Sequence, residues 1–178
     1  MFDPTIEDVD LPEGALVLRS FPRIDYADAY RAKLPPGLFK NVDSIARSIA
    51  ESSPWWVQGL MALRDRMVAI IGLKTSDWHR NNRQEIEFQP GSSVRGFRVY
   101  ERTQDEILLG EDDRHLDFRV SILKRTEGNN SWVIVSTIVR FNSWLGRAYF
   151  VPVKPLHKII VRAIMGRAIR AYEKQEIG

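Results

Sequence analysis

Between Glu85 and Val153 apolar side chains recur at about every second position. The runs IEFQ, GFRVYER, EILLG, HLDFRVSILKR, WVIVSTIVRF and RAYFVPV are separated by the turn-forming stretches PGSS, TQD, EDDR, EGNNS and NSWLG. A period of two is the strand period, because successive side chains point to opposite faces of a sheet. Connections of three to five residues are too short for a parallel crossover, which needs about a dozen. The chain is therefore expected to build an antiparallel meander, and everything else must pack against it.

The flanks read differently. ALVLRSF at 15–21 is a short strand candidate, followed by a turn-prone stretch ending in LPPG. A first helix is expected over about Val42 to Glu51, with Asp43 near its start. A second opens at Ser53-Pro54, an N-cap followed by proline, and stops near Gly72, with Trp56, Leu60, Leu63, Met67 and Ile70 on one face. After Pro155 the period is helical again: Leu156, Ile160, Ala163 and Ile164 share one side, and Lys158, Arg162, Arg170 and Lys174 lie largely on another. The order predicts an α+β fold, a curved antiparallel sheet gripping a long C-terminal helix, with a helix pair between the first and second strands.

The 178 residues suit one domain, 1–178, that buries roughly 70% of its unfolded surface without needing a staple. Cysteine is absent, which excludes disulfides, a thiolate nucleophile and thiolate-bound metal. The start MFDPTIEDVD is acidic and has no apolar core, and no run approaches the ~20 apolar residues of a membrane span, so a cytoplasmic protein is expected. Charge is uneven: residues 1–60, 61–120 and 121–178 carry −3, −1 and +7. A basic C-terminal third can attract anionic lipid, nucleic acid or an acidic partner, but a solvated helix face has the same composition.

The segments PGSSVRGFRVYE, DEILLGEDDRHLDFRVSIL, IVRFNSWLGRAYF and VKPLHKIIVRAIMGRA closely resemble an uncharacterised, mainly bacterial family, the domain of unknown function 2867. That family is grouped with the START-like, helix-grip (SRPBCC) superfamily of polyketide cyclases and lipid-transfer domains. The resemblance covers about residues 14–172. It implies a helix-grip fold and, for position only, a cavity between sheet and C-terminal helix.

The stretch LGEDDRHLDFRV concentrates charge on a strand. Alternation puts Leu116, Phe118, Val120 and Ile122 on one face and His115, Asp117, Arg119 and Ser121 on the other. The first set is expected to face the helix. The second reads as a solvated convex face or a salt-bridge ladder, with Asp112, Asp113 and Arg114 as a polar turn. A catalytic reading has Asp117 orient the His115 imidazole. Zinc is disfavoured, since His79, His115 and His157 are the only histidines and an H-x-D pair supplies two ligands. No P-loop, GxGxxG, GxSxG or HExxH occurs.

Apolar residues on both faces of WVIVSTIVRF call for an outer cover, either another segment or a second subunit. Asn142, Arg147 and Tyr149 flank the last turn and suit a cavity mouth. His157 reads as a half-buried helix-start histidine. The leading expectation is a binding domain for a small hydrophobic molecule, lined by Phe97, Val99, Phe118, Val120, Tyr149, Ala163 and Ile164. It needs no metal or organic cofactor, with a homodimer as one prospect, no nucleic-acid partner expected and a membrane surface disfavoured. The alternatives are a cyclase- or hydrolase-type enzyme using His115 or Tyr149, and a protein-interaction or membrane-surface module.

Overall fold

The computed structural model describes residues 4–37, 41–52 and 86–177. At the centre lie the two longest strands, β6 (Leu116–Glu127) and β7 (Asn130–Phe141). A two-residue loop joins them, with Glu127 opposite Asn130 and Gly128 at a φ of 59°. Positive φ at the first loop position is what a type II′ hairpin needs, and glycine adopts it without a Cβ clash.

On one side β7 pairs with β2 (Tyr26–Leu34), which pairs with β1 (Ile6–Val9). On the other, β6 pairs with β5 (Glu106–Asp112), then come β4 (Phe97–Arg102) and the short β3 (Ser93–Val94). The result is a curved, open, seven-stranded sheet in the order β1-β2-β7-β6-β5-β4-β3, antiparallel throughout. Two described helices complete the α+β fold: α1 (Val42–Glu51) and the long α2 (Trp144–Ile177).

Helix α1 has the expected bounds. Asn41 caps it by accepting the Ser44 N–H at 2.9 Å, and Arg102 of β4 holds its first turn through Asp43 at 2.6 Å. Its apolar face, Val42, Ile45 and Ala46, packs on the concave side of the sheet together with Met165 and Ile169 of α2, over Tyr30, Val99 and Ile107. Ser48 Oγ donates to the Ala168 carbonyl at 2.8 Å, a buried tie between the two helices.

IEFQ, at 86–89, forms no strand, and three further expectations are corrected. ALVLRSF is not a strand, for Leu16–Arg19 form a 3-10 helix. The first two strands come instead from the acidic Ile6–Val9 and from Tyr26–Leu34 within the stretch read as turn-prone. In β2 the concave positions hold Tyr26, Asp28, Tyr30, Ala32 and Leu34 and the convex ones Ala27, Ala29, Arg31 and Lys33, so no clean alternation of hydropathy marks it. The described helix of the expected pair, α1, therefore lies between the second and third strands, not the first and second; the segment from Ser53 to Gly72 lies outside the described residues.

The third correction concerns RAYFVPV, which is helical. Helix α2 begins at Trp144, although Pro152 and Pro155 sit inside it. Its start is fixed locally. Ser143 Oγ accepts the Gly146 N–H at 3.3 Å, and the Arg147 N–H reaches the Ser143 carbonyl at 3.3 Å. Aromatic and branched residues followed by prolines look like an edge strand, but these caps and the contacts of α2 with the sheet override that local preference.

The convex side is covered by the chain itself. Ala15, Leu16, Val17 and Phe21 pack over Leu108 and Ile138. Glu106, buried below them, accepts the Leu16 N–H through both carboxylate oxygens at 2.9 and 3.1 Å and also the Ser121 hydroxyl. The apolar outer face of β7 thus has a cover from the same chain.

Candidate functional site

The charged strand is a structural hub. Asp117 and Arg119 are only 2% and 6% exposed, so the solvated convex face expected for them is wrong: the segment from Ala15 to Phe21 shuts out the water. The ladder reading holds. Asp117 Oδ2 takes Nε and Nη2 of Arg140, its cross-strand partner on β7, at 3.0 and 2.5 Å, and Oδ1 takes the Asp113 N–H at 3.0 Å. Arg119 pairs with Asp112 at 2.9 Å and lies between the rings of Tyr100 and Phe21, its Cζ 3.5 and 4.8 Å from their centroids.

His115 ties this hairpin to α2. Its carbonyl accepts the N–H groups of Asn142 and Ser143 at 2.9 and 3.2 Å, and its Nδ1 lies 2.7 Å from Ser143 Oγ. Asn142 Nδ2 donates to the Asp113 carbonyl at 2.9 Å. Gly146 passes so close that a Cβ there would sit 2.1 Å from the His115 oxygen. Arg147 leans over Phe141 and lies 3.8 Å from Asp25. Burial pushes the Asp25 carboxyl up, but the Phe141 N–H, Arg23 and Arg147 outweigh it and hold it below the ordinary carboxylate value.

The residues that sequence reasoning missed lie on the concave face. Asp28 Oδ2 accepts the hydroxyls of Tyr26 at 2.5 Å and Tyr30 at 3.2 Å, while Oδ1 is 3.3 Å from Nε2 of His157 on α2. Burial raises the Asp28 carboxyl, yet His157 and the tyrosine hydroxyls lower it more, and the net value falls below the ordinary range. Burial and the Asp28 charge push both tyrosines up. Cations rim the cluster: Lys154 Nζ is 5.2 Å from the Tyr26 ring centre and Arg162 Cζ is 5.3 Å from that of Tyr30. The signal in the sequence was an aspartate between two tyrosines at the strand period.

Thr137 is the cross-strand neighbour of both Asp28 and Val120. It is 4% exposed, and its hydroxyl makes no hydrogen bond with any described residue. Half-buried apolar side chains share its face. Phe97 and Phe118 meet edge to face at 5.4 Å and, with Val120, remain half-buried; on α2, Tyr149, Phe150, Ala163 and Ile164 are also half-buried. Val99 is fully buried and belongs to the wall behind them. Phe150 packs on Tyr26 at 4.8 Å and on Phe141 at 5.4 Å. Of the expected cavity residues, Phe97, Val99, Phe118 and Val120 share the concave face with the Asp28 cluster, whereas Asp112, Arg119 and the buried side of Asp117 belong to the convex one. Among the described residues no group of three His, Asp or Glu side chains is arranged to hold a metal ion.

Residues 20–164 match the model of a family described as protein of unknown function (DUF2867). The chain belongs to this family. The match runs from β2 through β3–β7 into α2 and leaves out the edge strand β1, so both the Asp28 cluster and the GEDDRHLDFR hub lie inside the DUF2867 region. Comparison with curated proteins finds no match.

Proposed function

We propose that this DUF2867 chain is a binding domain for a small, mainly apolar molecule bearing a polar group, held between the concave face of the sheet and α2. The observation that carries the reading is the buried Thr137 hydroxyl, without a hydrogen-bond partner among the described residues, beside the Asp28–His157 pair and at the margin of half-buried apolar side chains. A buried hydroxyl without a partner carries a free-energy cost of about 1–3 kcal/mol, which a ligand's polar group would relieve. Apolar walls with a few convergent polar groups are the usual composition of small-molecule sites. The resemblance to START-like, helix-grip proteins supports the same position, as an argument from fold alone.

The test is titration with the apolar fluorescent dye anilinonaphthalene sulfonate. Saturable one-to-one binding, weakened by Ala163→Trp while the circular dichroism spectrum is retained, is the expected result. Binding that is absent, or indifferent to Ala163→Trp, counts against the proposal.

One further observation favours a second reading. His157 Nε2 is held by Asp28, and Nδ1 makes no hydrogen bond with any described residue, an arrangement suited to proton transfer. This reading moves acid–base work away from His115, whose Nδ1 is engaged by Ser143. Hydrolysis of a nitrophenyl ester that is lost in His157→Gln and retained in His115→Gln would favour the enzyme; no hydrolysis above background would remove it.

A further inference from the structure

The first half of α2 exposes what a packed helix ordinarily hides. Trp144, Val151 and Ile159 are 76%, 69% and 58% exposed, and Leu156 is exposed as well. Helical spacing gathers Trp144, Val151 and Ile159 on one side, while Arg147, Lys154 and Lys158, all exposed, run along its flank. His157 points the other way, into the concave cluster.

The charge of α2 is one-sided up to Glu173. From Trp144 to Tyr172 there are six Arg and Lys residues and no Asp or Glu. The first turn of a helix favours acidic side chains, which complement its dipole, but that of α2 has none. Arg162 is paired with Asp8 and Arg147 lies 3.8 Å from Asp25, but two internal carboxylates do not balance the basic residues of this half, which suits it to an anion outside the molecule. Lys158 makes no ion pair with any described residue, and Arg147 keeps 69% of its side chain exposed. A second copy of the same face is a poor occupant, because it would bring like charges together.

We infer that α2 docks through its Trp144–Arg162 half onto an anionic membrane surface. Trp144, Val151 and Ile159 enter the headgroup layer, and Arg147, Lys154 and Lys158 lie over the lipid phosphates. The prolines set the depth. Pro152 and Pro155 cannot donate to the carbonyls of Ala148 and Val151, which suits this turn to the hydrated headgroup layer rather than to the hydrocarbon. Among the described residues no helix is long and apolar enough to cross a membrane. This inference does not rest on the ligand-binding proposal.

Co-sedimentation with phosphatidylcholine vesicles, with and without phosphatidylglycerol, tests it. The full chain should bind the anionic vesicles, weaken with added salt and leave neutral vesicles in the supernatant. Lys158→Gln should lower the partition coefficient about fivefold, the effect of one basic residue near the surface, and Trp144→Ala should lower it at least as much. Leu18→Ala, which trims an exposed apolar side chain elsewhere, should change nothing. Failure to bind anionic vesicles, equal binding to neutral ones, or an equal loss in Leu18→Ala would overturn the inference. So would a concentration-dependent dimer that Trp144→Ala dissociates, since the face would then belong to a second copy.

Discussion

His157 Nε2 lies 3.3 Å from Asp28 Oδ1, joining α2 to a strand 129 positions earlier in the chain. The pair lies, beside Thr137, within a largely apolar concave face. Its carboxylate is shared with two tyrosine hydroxyls, so stability and the candidate site depend on the same atoms.

A pH dependence follows. The folded Asp28 carboxyl titrates below its ordinary value, so its stabilisation is complete above about pH 4, the unfolded value, and disappears as pH falls through the lower folded one. Asp28→Asn should be less stable near neutrality by on the order of 2 kcal/mol, as expected for hydrogen bonds to a charged group. The difference should shrink on acidification below about pH 4. Urea midpoints of both proteins across that range check this, and a pH-independent difference would contradict it.

The hub on the charged strand predicts damage of another kind. Asp117→Ala strands the Asp113 N–H and removes the partner of Arg140. Because Arg140 is partly exposed and can rehydrate, the cost should be about 2–3 kcal/mol, below that of breaking a fully buried pair. Thermal melts measure it. Dye binding by the protein that remains folded should be unchanged.

The sheet from β4 to β7 was legible because each turn is short, β6 alternates, and β5 and β7 are apolar runs of strand length. Asp28 was not, since β2 mixes alanines, charges and tyrosines, and nothing local announces that His157 will arrive from α2. The start of α2 was misread for a related reason: beside the local Ser143 cap, its determinants are the His115 contacts, which are tertiary. The charge cluster GEDDRHLDFR was visible from the outset, but its burial depends on a cover supplied by residues about a hundred positions away in the chain.

Gly146→Ala tests that tertiary determinant. The added Cβ would meet the His115 carbonyl at 2.1 Å, so the backbone must shift. A loss of about 1–3 kcal/mol, the usual range for overpacking, is expected even though alanine is the better helix former. Unchanged or raised stability in a denaturation series would show that the hairpin does not set the start of α2.

Core and site should also separate by mutation. Ile107 is fully buried, so Ile107→Ala should cost about 2–5 kcal/mol. Phe118 is half-buried against Phe97, so Phe118→Ala should cost less than the ~3–5 kcal/mol of a fully buried aromatic, while altering dye affinity. Equal stability losses, with no change in binding, would place Phe118 in the core alone.

The central claim is the location of the ligand, and methyl NMR during titration with anilinonaphthalene sulfonate tests it most directly. Val120 and Val161, partly buried against the concave core, report from that side, while Leu123 and Ile134, which pack with Ala29 on the other face, serve as reference. Saturable shifts at Val120 and Val161, with Leu123 and Ile134 unmoved, are the predicted result. Shifts confined to Leu123 and Ile134, or none that saturate, would contradict the account.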